Sequence, residues 1–202
     1  MEKYSKEINI LLNEGNLTGD WNNVYEHCMA EAKVAQVLGD LMKLSETDKE
    51  DLIRACMLHD WYKRKERELA DAAGYSGYEN SEHESHRKLL ELGVSKRICD
   101  IAHSVAPFCF GEIDNYDILR RAMNFIDNIC IGSKIVELDE RIDALERTEK
   151  YKELNESGRA KFNGKTYFQI QRMWGHKIQD ELEKLCGVAS GQLVTVIKTQ
   201  LI

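Results

Sequence analysis

The chain has a single proline, Pro107, in 202 residues, so few breaks are enforced on the backbone and long helices can form. None of its six cysteines, at positions 28, 56, 99, 109, 130 and 186, forms a CxxC pair, which argues against a structural zinc site. Most of them lie within apolar helical patterns, where cysteine behaves as a small hydrophobe. Basic charge is not in excess either. The net charge of −7 disfavours a general binder of nucleic-acid backbones, a role that needs clustered Lys and Arg. No window approaches the roughly 18 uninterrupted apolar residues of a membrane span, and the start Met1-Glu2-Lys3-Tyr4-Ser5 has no basic segment followed by an apolar run. Internal repeats and low-complexity stretches are missing too. The expectation is a cytoplasmic protein with reduced thiols and with no nucleic-acid or membrane partner.

What is present is ordinary for a globular chain: 43% hydrophobic and 31% charged residues, enough for one substantial core and too mixed for disorder. A single domain over 1–202 is expected. Apolar residues recur mostly at intervals of three and four rather than two, so the fold class is all-α. A helix over 2–13 should end at Gly15, and a turn over 16–20 should supply Asp20 as the N-cap of a second helix carrying Val24, Ala30, Val34, Val37, Leu38 and Leu41. Thr47 and Glu50 fit a capping box for a third helix that begins near Asp48 and runs into His59-Asp60. Residues 73–80 read as a loop with Ser81 as a cap, before helices over 82–92 and 95–104. A second loop over 107–112 leads into one long helix from Tyr116 to Arg147, and 167–186 supplies a last helix. The β-branched ending from Gln192 to Ile202 favours a short extended tail, packed along its own domain or against a second subunit in a homodimer.

The sharpest chemical signal is His59-Asp60 placed directly after the apolar run Ile53 to Leu58. An imidazole nitrogen beside a carboxylate oxygen suits borderline and hard divalent metals, and a carboxylate can bridge two ions. Two more ligand-type residues interrupt apolar helix faces: His27 in the second helix, and Asp127 within Ala122 to Cys130. Burying an unpaired carboxylate costs on the order of several kcal/mol unless a counter-charge compensates, and a shared cation would compensate. Read singly, His27 is equally well a hydrogen-bonded core histidine and Asp127 an ion-paired surface residue.

Taken together, His27, then His59-Asp60, then Asp127 on a helical chain resembles the HD superfamily of metal-dependent phosphohydrolases, over about Trp21 to Asp143. The C-terminal helix and tail, about 144–202, stand outside that core. The resemblance implies a helical bundle in which these four residues converge on a metal, with Asp60 as a bridging ligand that helps orient the nucleophile. His59-Asp60-Trp61-Tyr62-Lys63 matches the extended His-Asp-x-x-Lys form, which implies that Lys63 faces the substrate phosphate. Two-metal members add two histidines before the final Asp, and this chain offers His83, His86 and His103. His103 matches the later position. His83 stands nearer than His86 to the earlier one, although the spacing to Leu92-Gly93 departs from the family pattern.

The implied activity is hydrolysis of a phosphoester or phosphoanhydride in a nucleotide, dinucleotide or related small phosphate compound by a metal-activated water. One or two divalent ions (Fe, Mn, Co, Ni or Mg) are implied, and a one-metal centre would lean towards nucleoside monophosphates. The Gly-Tyr-Pro signature of the cyclic-dinucleotide branch is absent. Two other classes share these residues: a di-iron HD-type oxygenase and a non-catalytic nucleotide-binding or signalling module. Glu26 and Glu66 are candidate acid or base helpers for which surface positions are expected. Arg120 or Arg121 could reach a phosphate, and His176 is expected to be structural.

Overall fold

The computed structural model describes the backbone of residues 2–73, 75–105 and 113–201, and their side chains apart from residues 2, 70–82 and 150. The described chain is all-α apart from one two-stranded hairpin. Helix α1 (Ser5–Asn9) continues through a wider turn over Ile10–Glu14. The core is then built from α2 (Asn22–Leu41), α3 (Glu46–Leu58), α6 (Lys96–Ala102) and α7 (Ile118–Asp127), which pack against one another. In α2 the buried positions Val24, His27, Cys28, Glu31, Val34, Ala35 and Leu38 recur every three or four residues and so form one face. The polar members of that face, His27 and Glu31, sit in the middle of it. No helix among the described residues is long and apolar enough to cross a membrane.

Between α3 and α4 (Lys63–Ala73) the chain makes a four-residue turn, His59 to Tyr62, with Trp61 N–H bonded to the Leu58 carbonyl at 3.3 Å and Lys63 N–H to that of Asp60 at 3.0 Å. The turn is fixed from two sides. The Trp61 indole N–H donates to Ser85 Oγ at 2.8 Å, anchoring α5 (Tyr75–Glu91) to it. From the other side Gly15 comes so close that a Cβ there would lie 2.2 Å from the Trp61 carbonyl oxygen and 2.9 Å from that of Leu11.

Several sequence expectations are corrected. Helix α3 starts two residues before Asp48, because Ser45 rather than Thr47 is the cap, its Oγ accepting from Asp48 N–H at 3.1 Å. Asp20 does not cap α2; it lies in a short 3-10 turn, Gly19–Trp21, that runs straight into the helix. The expected loop over 73–80 is helical from Tyr75 onwards, since packing of α5 on α4 outweighs the weak helix propensity of its glycine. The cap assigned to Ser81 lies outside the described side chains, and the loop over 107–112, with Cys109, lies outside the described residues. The other five cysteines are free thiols.

The long helix expected from Tyr116 to Arg147 is divided. Helix α7 stops at Asp127, a hairpin of β1 (Cys130–Ile131) and β2 (Lys134–Ile135) follows in the register Cys130↔Ile135, and α8 (Leu138–Glu146) begins after it. The two-residue link Gly132-Ser133 has Gly132 at φ 55°, a conformation a tight hairpin needs and glycine adopts without strain. After α9 (Lys152–Lys161), α10 (Tyr167–Cys186) has the expected bounds and opens with a capping box of Thr166 and Gln169. The tail is not extended: it forms α11 (Leu193–Gln200), burying Leu193, Val194 and Ile197. β-Branched propensity is weak beside a buried helical face. The Glu183 carboxylate helps to start this helix by accepting from Gly191 N–H at 3.0 Å and Leu193 N–H at 3.3 Å.

Gly15→Ala should therefore cost about 1–3 kcal/mol, as overpacking against rigid backbone does. Gly39→Ala should cost less, because its Cβ would meet only the flexible Lys49 side chain. Denaturant melts of the two variants check this; equal destabilisation would mean that the approach to Trp61 is not limiting.

Candidate metal centre

Three separate segments bring the expected ligands together. His27 comes from the middle of α2, His59 and Asp60 from the turn that ends α3, and Asp127 from the last residue of α7. His27 Nε2 lies 3.5 Å from Asp127 Oδ1, while His59 Nε2 lies 3.7 Å from Asp60 Oδ2 and 4.0 Å from Asp127 Oδ1. A residue absent from the sequence prediction completes the group. Glu31, one helical turn after His27, places Oε1 3.0 Å from His27 Nε2 and Oε2 3.1 Å from His59 Nδ1. Among the described residues, His27, Glu31, His59 and Asp127 form the one group whose ligand atoms all lie within 4.8 Å of one another, so a metal ion could be held there. Its signal was the His27-x-x-x-Glu31 spacing, which puts an acid beside the histidine on the apolar face of α2.

Both imidazoles are oriented by backbone carbonyls. His27 Nδ1 is 3.0 Å from the Gly132 carbonyl oxygen, and His59 Nδ1 is 2.9 Å from that of Cys56. A carbonyl can only accept, so each Nδ1 carries a proton, and each Nε2 is the nitrogen turned to the centre, open to a metal once its own proton is lost. The fit to a cation is visible in what is left unsatisfied: His59 Nε2 and both oxygens of Glu31 are buried with no hydrogen-bond partner. Buried polar atoms are seldom left so.

Electrostatics reinforce this arrangement. Burial works to raise the pKa of Asp60, but the charges of Lys63, His59 and His27 overcome it and hold the carboxyl at about 2. Burial likewise opposes ionisation of Asp127, and the His27 hydrogen bond with the charges of Arg141 and His59 prevails, so this carboxyl lies far below the usual range. Arg141 of α8 stands 3.7 Å from Asp127 Oδ1. For His27 burial favours the neutral ring, yet the carboxylates of Glu31 and Asp127 win and raise its pKa well above the ordinary value; that of His59 is raised in the same way, chiefly by Glu31. In the metal-free chain, protons occupy nitrogens that a metal would need.

Lys63 extends from the start of α4 with Nζ 3.0 Å from Asp60 Oδ1 and 3.7 Å from Glu66 Oε2. Glu66 contradicts its expected surface position: it is 2% exposed. Burial pushes its carboxyl up to about 7, against the opposing pull of Lys63. Glu26 is exposed, as expected, and accepts from Asn22. Arg121 is committed elsewhere, to Glu181 at 2.6 Å and to the Asp114 carbonyl at 3.1 Å, and joins α7 to α10. His176 is exposed and pairs with Asp139 at 3.1 Å.

The remaining histidines gather with one another. The His103 ring centroid lies 5.9 Å from that of His83 and 5.5 Å from that of His86, so the structure does not favour His83 over His86. His86 Nε2 is 3.0 Å from Asp100 Oδ1, and Arg120 reaches the other oxygen of Asp100 at 3.5 Å. Burial, then the neighbouring His86 and His83, lower the pKa of His103 to about 4 and keep its ring neutral. The group that could hold a metal includes neither these three nor Asp60.

Two consequences can be measured. The stability that the imidazolium forms of His27 and His59 give the metal-free chain is fully present below the ordinary histidine pKa and is lost as pH rises through the raised values. A metal must displace those protons. Adding Mn(II) should accordingly raise the melting temperature more at pH 8.5 than at pH 6, and equal rises would show that no histidine proton is displaced. For Glu66 the sign is opposite to that of the usual carboxylate. Its raised pKa means that burial destabilises the ionised form, so stability present below its ordinary value of 4.5 declines as pH rises towards and past 7. Glu66→Gln should stabilise the chain at pH 8.5, by on the order of 2–3 kcal/mol, and change little at pH 4.5.

Comparison with family models, with curated proteins and with solved structures finds no match to this chain, which leaves the geometry of the centre as the ground for any functional reading.

Proposed function

We propose that the chain is a metal-dependent phosphohydrolase of the HD type, acting on a phosphoester or phosphoanhydride of a nucleotide or related small phosphate compound. One observation supports the reading: His27, His59 and Asp127, three members of the order that resembles the HD motif, lie with Glu31 in one buried group that could hold a metal, and Asp60 Oδ2 stands 3.7 Å from His59 Nε2. A divalent ion bound there supplies a water of lowered pKa and a Lewis acid for a phosphoryl oxygen.

The chain's own groups do the rest. Asp60, held ionised, faces the centre with one oxygen and Lys63 with the other. The Lys63 side chain is about a third exposed, at 36%, so its ammonium can meet a phosphate arriving beside Asp60 and stabilise charge that develops on it. Nearby Glu66, with its pKa near neutrality, is suited to hold or release a proton at physiological pH. The neutral His103 ring, with His83 and His86, offers further donors for phosphate or for a second ion.

Phosphate release from a panel of nucleotides and p-nitrophenyl phosphate, with Mn, Co, Ni, Fe or Mg added, tests the reading. Asp60→Asn should abolish metal-dependent release with helical content unchanged. Lys63→Ala should keep the metal and lower kcat by roughly 10²-fold, the scale for losing one charge-stabilising donor. A metal-loaded wild type that releases no phosphate from any of these, or an Asp60→Asn variant as active as the wild type, would remove the hydrolase.

A further inference from the structure

We propose that Glu31 is itself a ligand of the metal, a fifth protein donor that makes the centre oxygen-rich and biases it towards manganese or iron over zinc. The inference rests on the metal reading above and goes beyond the four motif residues on which that reading stands.

Glu31 is 0% exposed, in the middle of the apolar face of α2, and no Lys or Arg pairs with it among the described residues. Its neighbours within ion-pair range are His27 Nε2 at 3.0 Å and His59 Nδ1 at 3.1 Å. The proton on each Nδ1 is already directed to a carbonyl, of Gly132 or of Cys56, and neither oxygen of Glu31 has a hydrogen-bond partner. In the metal-free chain the only counter-charge within reach of this carboxylate, among the described residues, is the protonated imidazoles, at 3.0 and 3.1 Å. A buried carboxylate in that position needs a cation beside it, and a divalent ion that displaces the imidazole protons would take over that place.

The distances fit a shared ion. Neighbouring donors on a six-coordinate metal with bonds of about 2.1 Å lie about 3.0 Å apart. His27 Nε2 stands 3.0 Å from Glu31 Oε1 and 3.5 Å from Asp127 Oδ1, two edges close to that value. His59 completes the four donors that lie within 4.8 Å of one another, and Asp60, with Oδ2 3.7 Å from His59 Nε2, would bring a fifth: two nitrogens and three carboxylate oxygens in all. Carboxylates favour hard ions such as manganese, whereas imidazoles also serve iron and zinc. Zinc is satisfied by four ligands in a tetrahedron and would leave a donor of this set unused, while manganese or iron can accept all five and a water.

A competing role is that Glu31 only steadies His59 by accepting from its Nδ1–H. Glu31→Gln separates the two, because the amide oxygen can still accept that hydrogen but the ligand charge is gone. The full-length chain, stripped with a chelator, would be titrated calorimetrically with Mn(II) and with Zn(II), and the metal-free forms melted. As a ligand, Glu31 predicts that Glu31→Gln weakens Mn(II) binding at least 100-fold and Zn(II) binding much less, moving the Mn/Zn preference at least tenfold towards zinc. The melts establish that each metal-free variant is folded before it is titrated. A steadying role would weaken both metals alike, since His59 serves both, and an unshifted preference overturns the assignment. If Glu31→Gln does not fold, Glu31→Asp, which withdraws the carboxylate by one methylene, should show the same selective loss of Mn(II). A wild type that binds neither metal would sink the metal reading and this inference with it; a wild type that binds both, with unshifted selectivity in the variants, would sink Glu31 alone.

Discussion

The hydrogen bond from His27 Nδ1 to the Gly132 carbonyl ties two parts of the chain separated by more than a hundred residues. The acceptor sits at the turn of a minimal hairpin, where Gly132 takes a left-handed conformation, and the hairpin is what interrupts the helical run around Asp127. Had the chain continued as one helix from Tyr116 to Arg147, the carbonyls of this stretch would have been engaged by amides four residues on, leaving none free for an imidazole. The break thus accomplishes two things together. It ends α7 with Asp127 facing the two histidines, and it supplies the acceptor that sets which nitrogen of His27 faces Asp127. His59 is set by the same logic on a smaller scale, through the Cys56 carbonyl three residues behind it at the end of α3, where a helix leaves carbonyls unpaired.

With the tautomers fixed, the balance of charge decides what the centre can hold. Glu31, Asp60 and Asp127 bring three carboxylates against Lys63 and Arg141, each of which stands to one side, on Asp60 and on Asp127 respectively. The flanking cations lower the cost of keeping Asp60 and Asp127 ionised. Neither reaches Glu31, the most deeply buried of the three, so the site retains a deficit of positive charge at its inner end. Raised histidine pKa values express that deficit as protons; a divalent ion would meet it with two charges at one point.

The helical class and three of the four residues of the buried group, His27, His59 and Asp127, were legible in the sequence because both depend on local pattern: period-three-and-four burial, and polar residues set into apolar faces. His27, Asp127 and the His59-Asp60 pair stood out for that reason. Glu31 did not, although it breaks the same face one turn after His27, because the His-x-x-x-Glu spacing by itself does not show that the acid is buried. Glu66 was misplaced for the same reason; only the packing around α4 shows that it is enclosed. The hairpin was missed because two strands of two residues are too short to show alternation, leaving Gly132-Ser133 as their sole mark. The helical C-terminus escaped notice because Val194, Thr195, Val196 and Ile197 read as strand until α2 and α10 offer a face for Leu193, Val194 and Ile197 to bury.

Those last elements, which lie outside the motif, also bear on the centre. Asn128, directly after Asp127, is buried, and its amide donates to the Asn124 carbonyl at 2.9 Å while its own oxygen accepts from Gln171 of α10. Arg121 fixes the same pair of helices half a dozen residues earlier, through Glu181. Helix α7 is therefore held to α10 both along its length and at the residue that follows Asp127. A single chemical requirement explains the investment. Asp127 lies at a helix end, where backbone ordinarily frays, yet a carboxylate that is to act together with two histidines from other segments has to be fixed to within a fraction of an ångström. The side-chain amides of Asn128 and Gln171 supply the constraint that the hydrogen-bond ladder of α7 can no longer provide at its last turn.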